Sequence, residues 1–178
     1  MKYISTLLLA VLFGTFAIAG ENDGKGIKWM NWEEVQVAMK KEPKKVWVDV
    51  YTDWCGWCKV MDKKTYSNPE VIKYMNEHFY AVKFNAEGRD DIRFMGTTFS
   101  FEPQYKANKL AVELMRGQMS YPTNVFMEKH FQNPSPIPGY QGVPQMELIL
   151  KYLAEDTYKT VKFDEYQKTF TPSWQEGS

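Results

Sequence analysis

The chain has 178 residues, of which 44% are hydrophobic, and its 22 basic side chains balance 22 acidic ones. This content of apolar residues can fill one sizeable core, so it predicts a single domain and excludes disorder along the whole length. The even charge, without a run of five or more like charges, argues against nucleic acid or an anionic membrane surface as the main partner.

The first 19 residues have the pattern of a signal peptide. Lys2 precedes the apolar run 7–13, and Ala17-Ile18-Ala19 supplies the small residues that signal peptidase recognises. The alternative is a retained transmembrane anchor, but the apolar run is shorter than the ~20 residues that span a bilayer. We therefore predict a cleaved signal over 1–19, a flexible linker over 20–28, and an exported, periplasmic protein without stable membrane insertion.

Helix and strand patterns alternate after this linker. Asn31 precedes a helical pattern with Glu34 at its third position, which predicts a capped helix, and the apolar run 46–51 predicts a buried strand. The same reasoning predicts a helix after Cys58, a helix opened by Asn68-Pro69-Glu70, a strand over 79–84, a helix over 107–116, a strand over 124–127, a turn rich in proline (Pro134, Pro136, Pro138) and a helix over 145–155.

Two segments do not fit this alternation. Residues 87–104 mix charges with scattered phenylalanines, and we interpret them as an insertion. The weakly patterned residues 160–178 are assigned to a C-terminal tail, which leaves 29–159 as the folded domain. Each of these segments either packs on the fold or shapes the choice of partner, and the first interpretation is preferred.

Cys55 and Cys58 are the only two cysteines, too few for a scaffold held together by disulfides. Two residues separate them, and they stand where a strand pattern gives way to a helix pattern. The N–H groups and the dipole of a helix N-terminus stabilise a thiolate at the first cysteine. Cys55 is therefore the predicted nucleophile, which attacks a disulfide, and Cys58 is the predicted resolving thiol.

Other uses of such a pair fit this sequence less well. A zinc site takes four ligands, and the remaining candidates, His78 and His130, stand singly, so no metal is predicted. A haem attachment site needs histidine directly after Cys58, where Lys59 stands. An inert structural disulfide here closes too small a loop to constrain the unfolded chain much.

Residues 48–59, Val-Asp-Val-Tyr-Thr-Asp-Trp-Cys-Gly-Trp-Cys-Lys, resemble the active-site segment of thioredoxins. The order of elements from Trp29 to Leu153 is most similar to exported bacterial thioredoxin-like thiol-disulfide oxidoreductases. The resemblance implies an α/β fold, a thioredoxin-like three-layer sandwich in which helices flank a central mixed β-sheet, with the insertion placed before a cis-proline segment.

The resemblance also implies roles for two charged residues. Asp49 stands six residues before Cys55, where thioredoxins carry the buried acid that accepts the proton of the second cysteine through water. A strand-end residue facing solvent is the alternative, but Asp49 lies inside an apolar run where an unused carboxylate is costly. Lys83 matches the strand lysine that accompanies this acid, although a lysine is more often simply exposed.

The substrate-binding residues are likewise carried over by resemblance. Tyr121-Pro122-Thr123 matches the segment in which a cis-proline faces the disulfide and the preceding residue pairs with the substrate chain. Trp54 matches the flat aromatic residue beside the active site, with an ordinary core position as the alternative. Thioredoxins carry Gly-Pro between the cysteines, whereas Gly56-Trp57 stands here and adds a bulky apolar side chain.

The expected reaction is thiol-disulfide exchange on exported proteins without a bound cofactor. The absence of histidine between the cysteines favours a reductant, while a disulfide oxidant, an isomerase and a non-catalytic peptide-binding or chaperone-like module remain open. The expected partners are protein disulfides or dithiols and an upstream thiol protein as electron donor. A nicotinamide donor is not expected, because the sequence has no glycine-rich dinucleotide motif.

Overall fold

The computed structural model describes residues 26–176. The predicted signal peptide and most of the predicted linker lie outside the described residues. No helix within 26–176 is long and apolar enough to cross a membrane. The domain boundaries proposed from the sequence stay predictions.

Strands and helices follow one another in the described chain in this order: β1 (Trp29–Met30), α1 (Trp32–Lys41), β2 (Lys45–Tyr51), α2 (Gly56–Lys64), α3 (Pro69–His78), β3 (Phe79–Asn85), β4 (Ile92–Phe94), β5 (Thr97–Phe99), β6 (Phe101–Glu102), β7 (Ala107–Asn108), α4 (Lys109–Leu114), β8 (Thr123–Met127), β9 (Ser135–Pro138), α5 (Val143–Ala154) and α6 (Phe163–Thr169). Two short 3-10 turns, Lys129–Phe131 and Thr157–Lys159, connect the later elements.

A five-stranded sheet in the order β1-β3-β2-β8-β9 forms the centre of the fold. Strands β1, β3 and β2 run parallel, whereas β8 and β9 run antiparallel to their neighbours. The sheet is therefore mixed, as the sequence predicted. Strand β2 lies in the middle, between β3 and β8, and this position buries both of its faces.

Asparagine caps fix the starts of two helices. The Asn31 side chain accepts hydrogen bonds from the N–H groups of Glu33 and Glu34, and the Glu34 side chain accepts one from the Asn31 N–H. This reciprocal arrangement satisfies N–H groups that have no partner inside the helix. The side chain of Asn68 caps α3 by accepting hydrogen bonds from the N–H groups of Glu70 and Val71, with Pro69 at the first helical position, so both predicted starts are confirmed.

Two apolar cores, one on each face of the sheet, make up the three layers. On one face, α1 and α4 contribute Val35, Met39 and Leu110 to a core that includes the valines of β2. On the other face, α2, α3 and α5 pack their buried methionines and leucines around Trp47. This arrangement confirms the predicted thioredoxin-like sandwich.

The predicted insertion has structure that the sequence pattern did not show. Strands β4 and β5 form a small antiparallel hairpin, and β6 pairs with β7. Phe94 and Phe99 of the hairpin are buried in the core on the α1 side. Strands of three residues are too short to show a periodic pattern, so the sequence indicated only an irregular segment. Helix α4 is also shorter than predicted, because Ala107–Asn108 form β7 and Asn108 caps the helix.

The proline-rich segment is an edge strand, and its prediction as a turn was wrong. Strand β9 pairs with β8 and places Pro136 opposite Val125 and Pro138 opposite Thr123. Proline lacks the N–H that an inner strand must donate to both neighbours, but an edge strand tolerates it.

Residues after 159 pack on the domain. Trp174 is buried, and its ring lies against Tyr74 of α3. The carboxylate of Glu147, which is fully buried in α5, accepts hydrogen bonds from the N–H and hydroxyl of Ser173 and from the N–H of Trp174. Trp174 therefore belongs to the core on the α5 side. A local sequence pattern cannot show contacts of this kind.

Candidate active site

The two cysteines lie where β2 gives way to α2. Cys55 occupies the N-cap position of α2, and its Sγ accepts a hydrogen bond of 3.1 Å from the N–H of Cys58. A disulfide joins the two side chains, and each residue is only 3% exposed. Sulfur at a helix N-terminus faces unpaired N–H groups and the positive end of the helix dipole, so this position favours a thiolate at Cys55 when the pair is reduced.

Two exposed tryptophans flank the buried disulfide. Trp54 is 66% exposed and Trp57 is 62% exposed, although large aromatic side chains are usually buried. The Trp54 ring meets Tyr121 edge-on at 5.8 Å between centroids, and its Nε1 donates a hydrogen bond to Glu87. The ring centroids of Trp57 and Tyr140 are 5.5 Å apart. We call these four rings, Trp54, Tyr121, Trp57 and Tyr140, the aromatic rim.

The Tyr121–Pro122 peptide bond is cis and immediately precedes β8. Thr123 pairs with Val50 near the end of β2, so this segment lies at the same end of the sheet as the cysteines. The Pro122 carbonyl accepts a hydrogen bond from Gly139, and the Thr123 hydroxyl donates one to the Ser120 carbonyl. The first bond ties the cis-proline to the residue that follows β9, and the second stabilises the turn that precedes β8.

Asp49 and Lys83 form an ion pair in the sheet, with the carboxylate buried and the ammonium half-buried. Asp49 on β2 is directly opposite Lys83 on β3, and the Lys83 ammonium donates a 2.5 Å hydrogen bond to Asp49 Oδ2. Burial raises the pKa of Asp49 from its ordinary value of 3.8 to about 6, although the charge of Lys83 acts in the opposite direction. The other oxygen, Oδ1, has no hydrogen-bond partner among residues 26–176.

A chain of buried polar groups continues beside this ion pair. The indole N–H of Trp47 donates to the Tyr66 hydroxyl at 3.1 Å, and that hydroxyl donates to Asn124 Oδ1 at 2.5 Å. Asn124 is the residue of β8 directly opposite Asp49. Burial raises the pKa of Tyr66 well above its ordinary value, so the phenol stays protonated and keeps donating.

The fold thus brings the residues that sequence reasoning selected to one end of the sheet. Gly56 is the first residue of α2, and Asp49, Lys83 and the cis-proline segment come from the three central strands. Sequence reasoning missed Tyr140, Glu87 and Asp62, which contact these residues. No local pattern marks them, since each reaches the site only through tertiary packing. Within 26–176, no three His, Cys, Asp or Glu side chains are grouped so that they could hold a metal ion.

Most of the chain matches one known protein family. Residues 20–155 match the model of a family described as "Thioredox_DsbH: Protein of unknown function, DUF255". The chain is 31% identical over 74 residues, 41% of its length, to spermatogenesis-associated protein 20 of Mus musculus. It is 43% identical over 48 residues, 26% of its length, to the thiol:disulfide interchange protein DsbD of Photorhabdus laumondii. These stretches cover only 9% and 8% of those two proteins.

Solved structures with low sequence identity show the same fold. A thioredoxin-fold protein from Helicobacter pylori has a TM-score of 0.54 at 21% identity, over 70% of this chain and 78% of the other. A DsbH oxidoreductase has a TM-score of 0.52 at 15% identity, over 83% and 95% of the two chains. These structures show the thioredoxin fold, and the match over residues 20–155 shows that the chain belongs to the Thioredox_DsbH family.

Proposed function

We propose that the protein is a thiol-disulfide oxidoreductase that reduces disulfides of exported proteins through Cys55 and Cys58. The observation that carries this proposal is the position of the pair: a cysteine caps α2, and a buried carboxyl with a pKa of about 6 lies on the preceding strand. An inert disulfide needs neither a helix N-terminus nor a titratable group that is held out of water.

In the first step, the Cys55 thiolate attacks one sulfur of a substrate disulfide. A bond forms between Cys55 and that sulfur, the substrate S–S bond breaks, and the departing substrate thiolate takes a proton from solvent. The N–H groups at the start of α2 stabilise the attacking thiolate and no longer face a charge once the mixed disulfide has formed.

In the second step, Cys58 resolves the mixed disulfide. Its thiol gives its proton, by way of a water, to the ionised carboxyl of Asp49, and the resulting thiolate attacks Cys55 Sγ. The Cys55–Cys58 disulfide forms, and the substrate leaves with both of its sulfurs reduced. A base titrating near pH 6 is ionised at neutral pH and still has appreciable proton affinity, which suits this transfer.

We propose that the aromatic rim and the cis-proline segment hold the substrate chain. Each cysteine is 3% exposed, whereas the flanking tryptophans are more than 60% exposed, so a partner that reaches Cys55 must lie against the indoles. Tyr121 precedes the cis-proline and offers its backbone to an extended chain, with Gly56 and Thr123 bordering the same place. Such a surface favours protein disulfides over small hydrophilic ones.

Export and the direction of electron flow are parts of the proposal. The signal-like residues 1–19 support export, and the absence of histidine between the cysteines supports a reductant. A reductant in an exported compartment depends on a second thiol protein, which reduces the Cys55–Cys58 disulfide after each turnover. Similarity to DsbD, a thiol:disulfide interchange protein, is consistent with such a partner.

The reduction potential of the pair tests the direction. The protein without residues 1–19 is equilibrated with defined thiol-disulfide buffers, and the oxidised fraction is measured. We expect a value near the ~−270 mV of thioredoxin. A value near the ~−120 mV of DsbA would overturn the reductant and make the protein an oxidant or isomerase.

Two matched substitutions separate an enzyme from a peptide-binding module. Cys55→Ser should abolish disulfide reduction while leaving peptide binding intact, because only the attacking sulfur is lost. Cys58→Ser should still attack and should accumulate the mixed disulfide, visible on a non-reducing gel. If Cys55→Ser retains the full function of the protein, the cysteines are incidental and the binding module is correct.

A further inference from the structure

The Lys83 ammonium serves two carboxylates rather than one. Besides its bond to Asp49 Oδ2, it donates a hydrogen bond to Oδ1 of Asp62 on α2. Asp49 and Asp62 belong to different elements, a central strand and the helix that carries the cysteines. The ion pair that sequence reasoning expected is thus a triad in which two negative groups share one positive group.

Three aromatic rings confine this ammonium. Its Nζ lies 5.0 Å from the ring centroid of Trp29, 5.1 Å from that of Tyr51 and 5.4 Å from that of Tyr66. Rings at these distances attract a cation and exclude part of its water. Lys83 lies between the two carboxylates. Its hydrogen bond to Asp62 therefore weakens its attraction for Asp49.

Exposure rises along the triad. The side chain of Asp49 is 1% exposed, that of Lys83 22% and that of Asp62 46%. Asp62 and Lys83 line an open cleft of about 770 Å³, together with Trp29 and Tyr66. Asp62 is therefore the member of the triad that meets solvent, and it is the member that contributes least to the core.

We propose that Asp62 is a positioning residue for the exchange reaction, which shares Lys83 with Asp49 and thereby keeps the buried carboxyl able to take the proton of Cys58. This inference rests on the proposed function. Asp62 itself touches neither the substrate nor the cysteine sulfurs in this role. It acts through Lys83 and through the repulsion between two negative charges.

Both actions of Asp62 favour the protonated form of Asp49. Its charge raises the pKa of Asp49 directly, and its bond to Lys83 weakens the attraction that lowers it. The other titratable group that acts on Asp49 is Lys83 from β3, while Asp49 itself raises the pKa of Tyr51 on β2 and of Tyr66 after α2. Neither tyrosine ionises near neutral pH, since burial raises both pKa values. Asp62 is thus the carboxylate that opposes Lys83 here.

The test is Asp62→Asn, which keeps the size of the side chain and removes its charge. The carboxyl carbon of Asp49 is followed by NMR through a pH titration of the oxidised protein. We expect the midpoint to fall by about one pKa unit, since Lys83 then serves Asp49 alone. Asp62→Glu should restore the wild-type midpoint, and Asp164→Asn, an exposed carboxyl of α6, should leave it unchanged. An unchanged or raised midpoint in Asp62→Asn overturns the inference.

A second test measures the rate at which Cys58 resolves the mixed disulfide in the same variant. With a lower midpoint Asp49 is a weaker base, so at pH 8, where it is ionised in both proteins, Asp62→Asn should resolve the mixed disulfide about two- to fivefold more slowly. At pH 5 the larger ionised fraction of Asp49 in the variant should offset this loss. A rate profile that does not move while the Asp49 midpoint falls also overturns the inference. The NMR titration needs no turnover, so failure of the proposed function is recognised separately, as an absence of exchange in the wild-type protein.

Discussion

Within residues 46–50, the two faces of strand β2 are buried to a similar degree but differ in chemical character. Val46, Val48 and Val50 point to the α1 side, and each is 0% exposed. Trp47 and Asp49 point to the α2 side, and they are 0% and 1% exposed. The valines belong to an apolar core, whereas the second face holds an ion pair and a chain of buried hydrogen bonds.

The comparison shows how one strand combines stability with chemistry. Each buried valine contributes about 1.5–3 kcal/mol by leaving water. Asp49 acts in the other direction at neutral pH, since burial raises its pKa from 3.8 to about 6. At about 1.36 kcal/mol per pKa unit, keeping it ionised costs on the order of 3 kcal/mol. The burial of the valines on one face thus offsets the free-energy cost of keeping Asp49 ionised on the other.

Asp49→Asn should have the strongest effect, which is to slow the resolving step. The amide keeps the shape of the side chain but cannot accept the proton of Cys58, and a positioned base contributes about 10²-fold or more. Reduced protein is mixed with a chromogenic aromatic disulfide in a stopped-flow instrument. The first thiolate released reports the attack by Cys55 and should appear at the wild-type rate. The second reports resolution and should slow about 10²-fold at pH 7.

The same variant should be more stable than the wild-type protein, but only at higher pH. Below about pH 4, Asp49 is protonated in both the folded and the unfolded chain. Between pH 4 and about 6 the unfolded chain ionises first, so rising pH favours unfolding, and above about pH 6 the full cost is present.

Because Lys83 loses one partner in Asp49→Asn, the gain at pH 8 should be on the order of 1–3 kcal/mol. It should fall to about 0.5 kcal/mol at pH 4, where Asp49 of the unfolded chain is only partly ionised. Urea unfolding of the oxidised protein at both pH values measures it. A gain of equal size at pH 4 would show that charge is not its cause.

Val48→Ala is the matched substitution on the other face. Removing two buried methyl groups should lower the free energy of unfolding by about 2 kcal/mol, through lost burial and the cavity left behind. No charge is involved, so the loss should be the same at pH 4 and pH 8. The rate of the resolving step should stay at the wild-type value. A pH-dependent loss, or a slowed second thiolate, would mean that the two faces are coupled.

The residues of β2 also show what the sequence could predict. A carboxylate inside an apolar run stands out, so Asp49 was selected before any contact was known. Lys83 was harder to assign, because a lysine is exposed by default. It lies 34 residues after Asp49 in sequence, and only the pairing of β2 with β3 brings the two side chains together. Strands β2, β3 and β8 and the capped helices α1 and α3 were predictable for the same local reason, a pattern within about ten residues.

Features formed by distant segments were not predictable from local patterns. Asp62 reaches Lys83 because α2 packs over the sheet, and Trp29 reaches it from β1. Trp174 lies in a weakly patterned stretch, and its backbone N–H donates a hydrogen bond to a carboxylate of α5. Tyr140 follows the proline-rich strand in a loop without a motif. Each of these contacts joins segments whose own sequences give no sign of the partner.

Trp57 lies on the surface outside the buried face of β2, and its removal should have only a modest effect. Helix α2 packs Met61 onto the α2 side of the sheet and turns Trp57 outward against Tyr140. Because this indole is 62% exposed, Trp57→Ala should change the free energy of unfolding by no more than about 0.5 kcal/mol.

Binding of a protein substrate should suffer more than stability, because an indole that a partner covers contributes more than 1 kcal/mol at many interfaces. We expect kcat/KM for a protein disulfide to fall about tenfold in Trp57→Ala, through a higher KM. The rate with the chromogenic small disulfide should not change, since that molecule is too small to cover the rim. Val37→Ala, which removes an exposed apolar side chain of α1, is the control and should alter neither rate. Equal losses with both substrates would place Trp57 in the chemistry of the cysteines rather than in the recognition of protein chains.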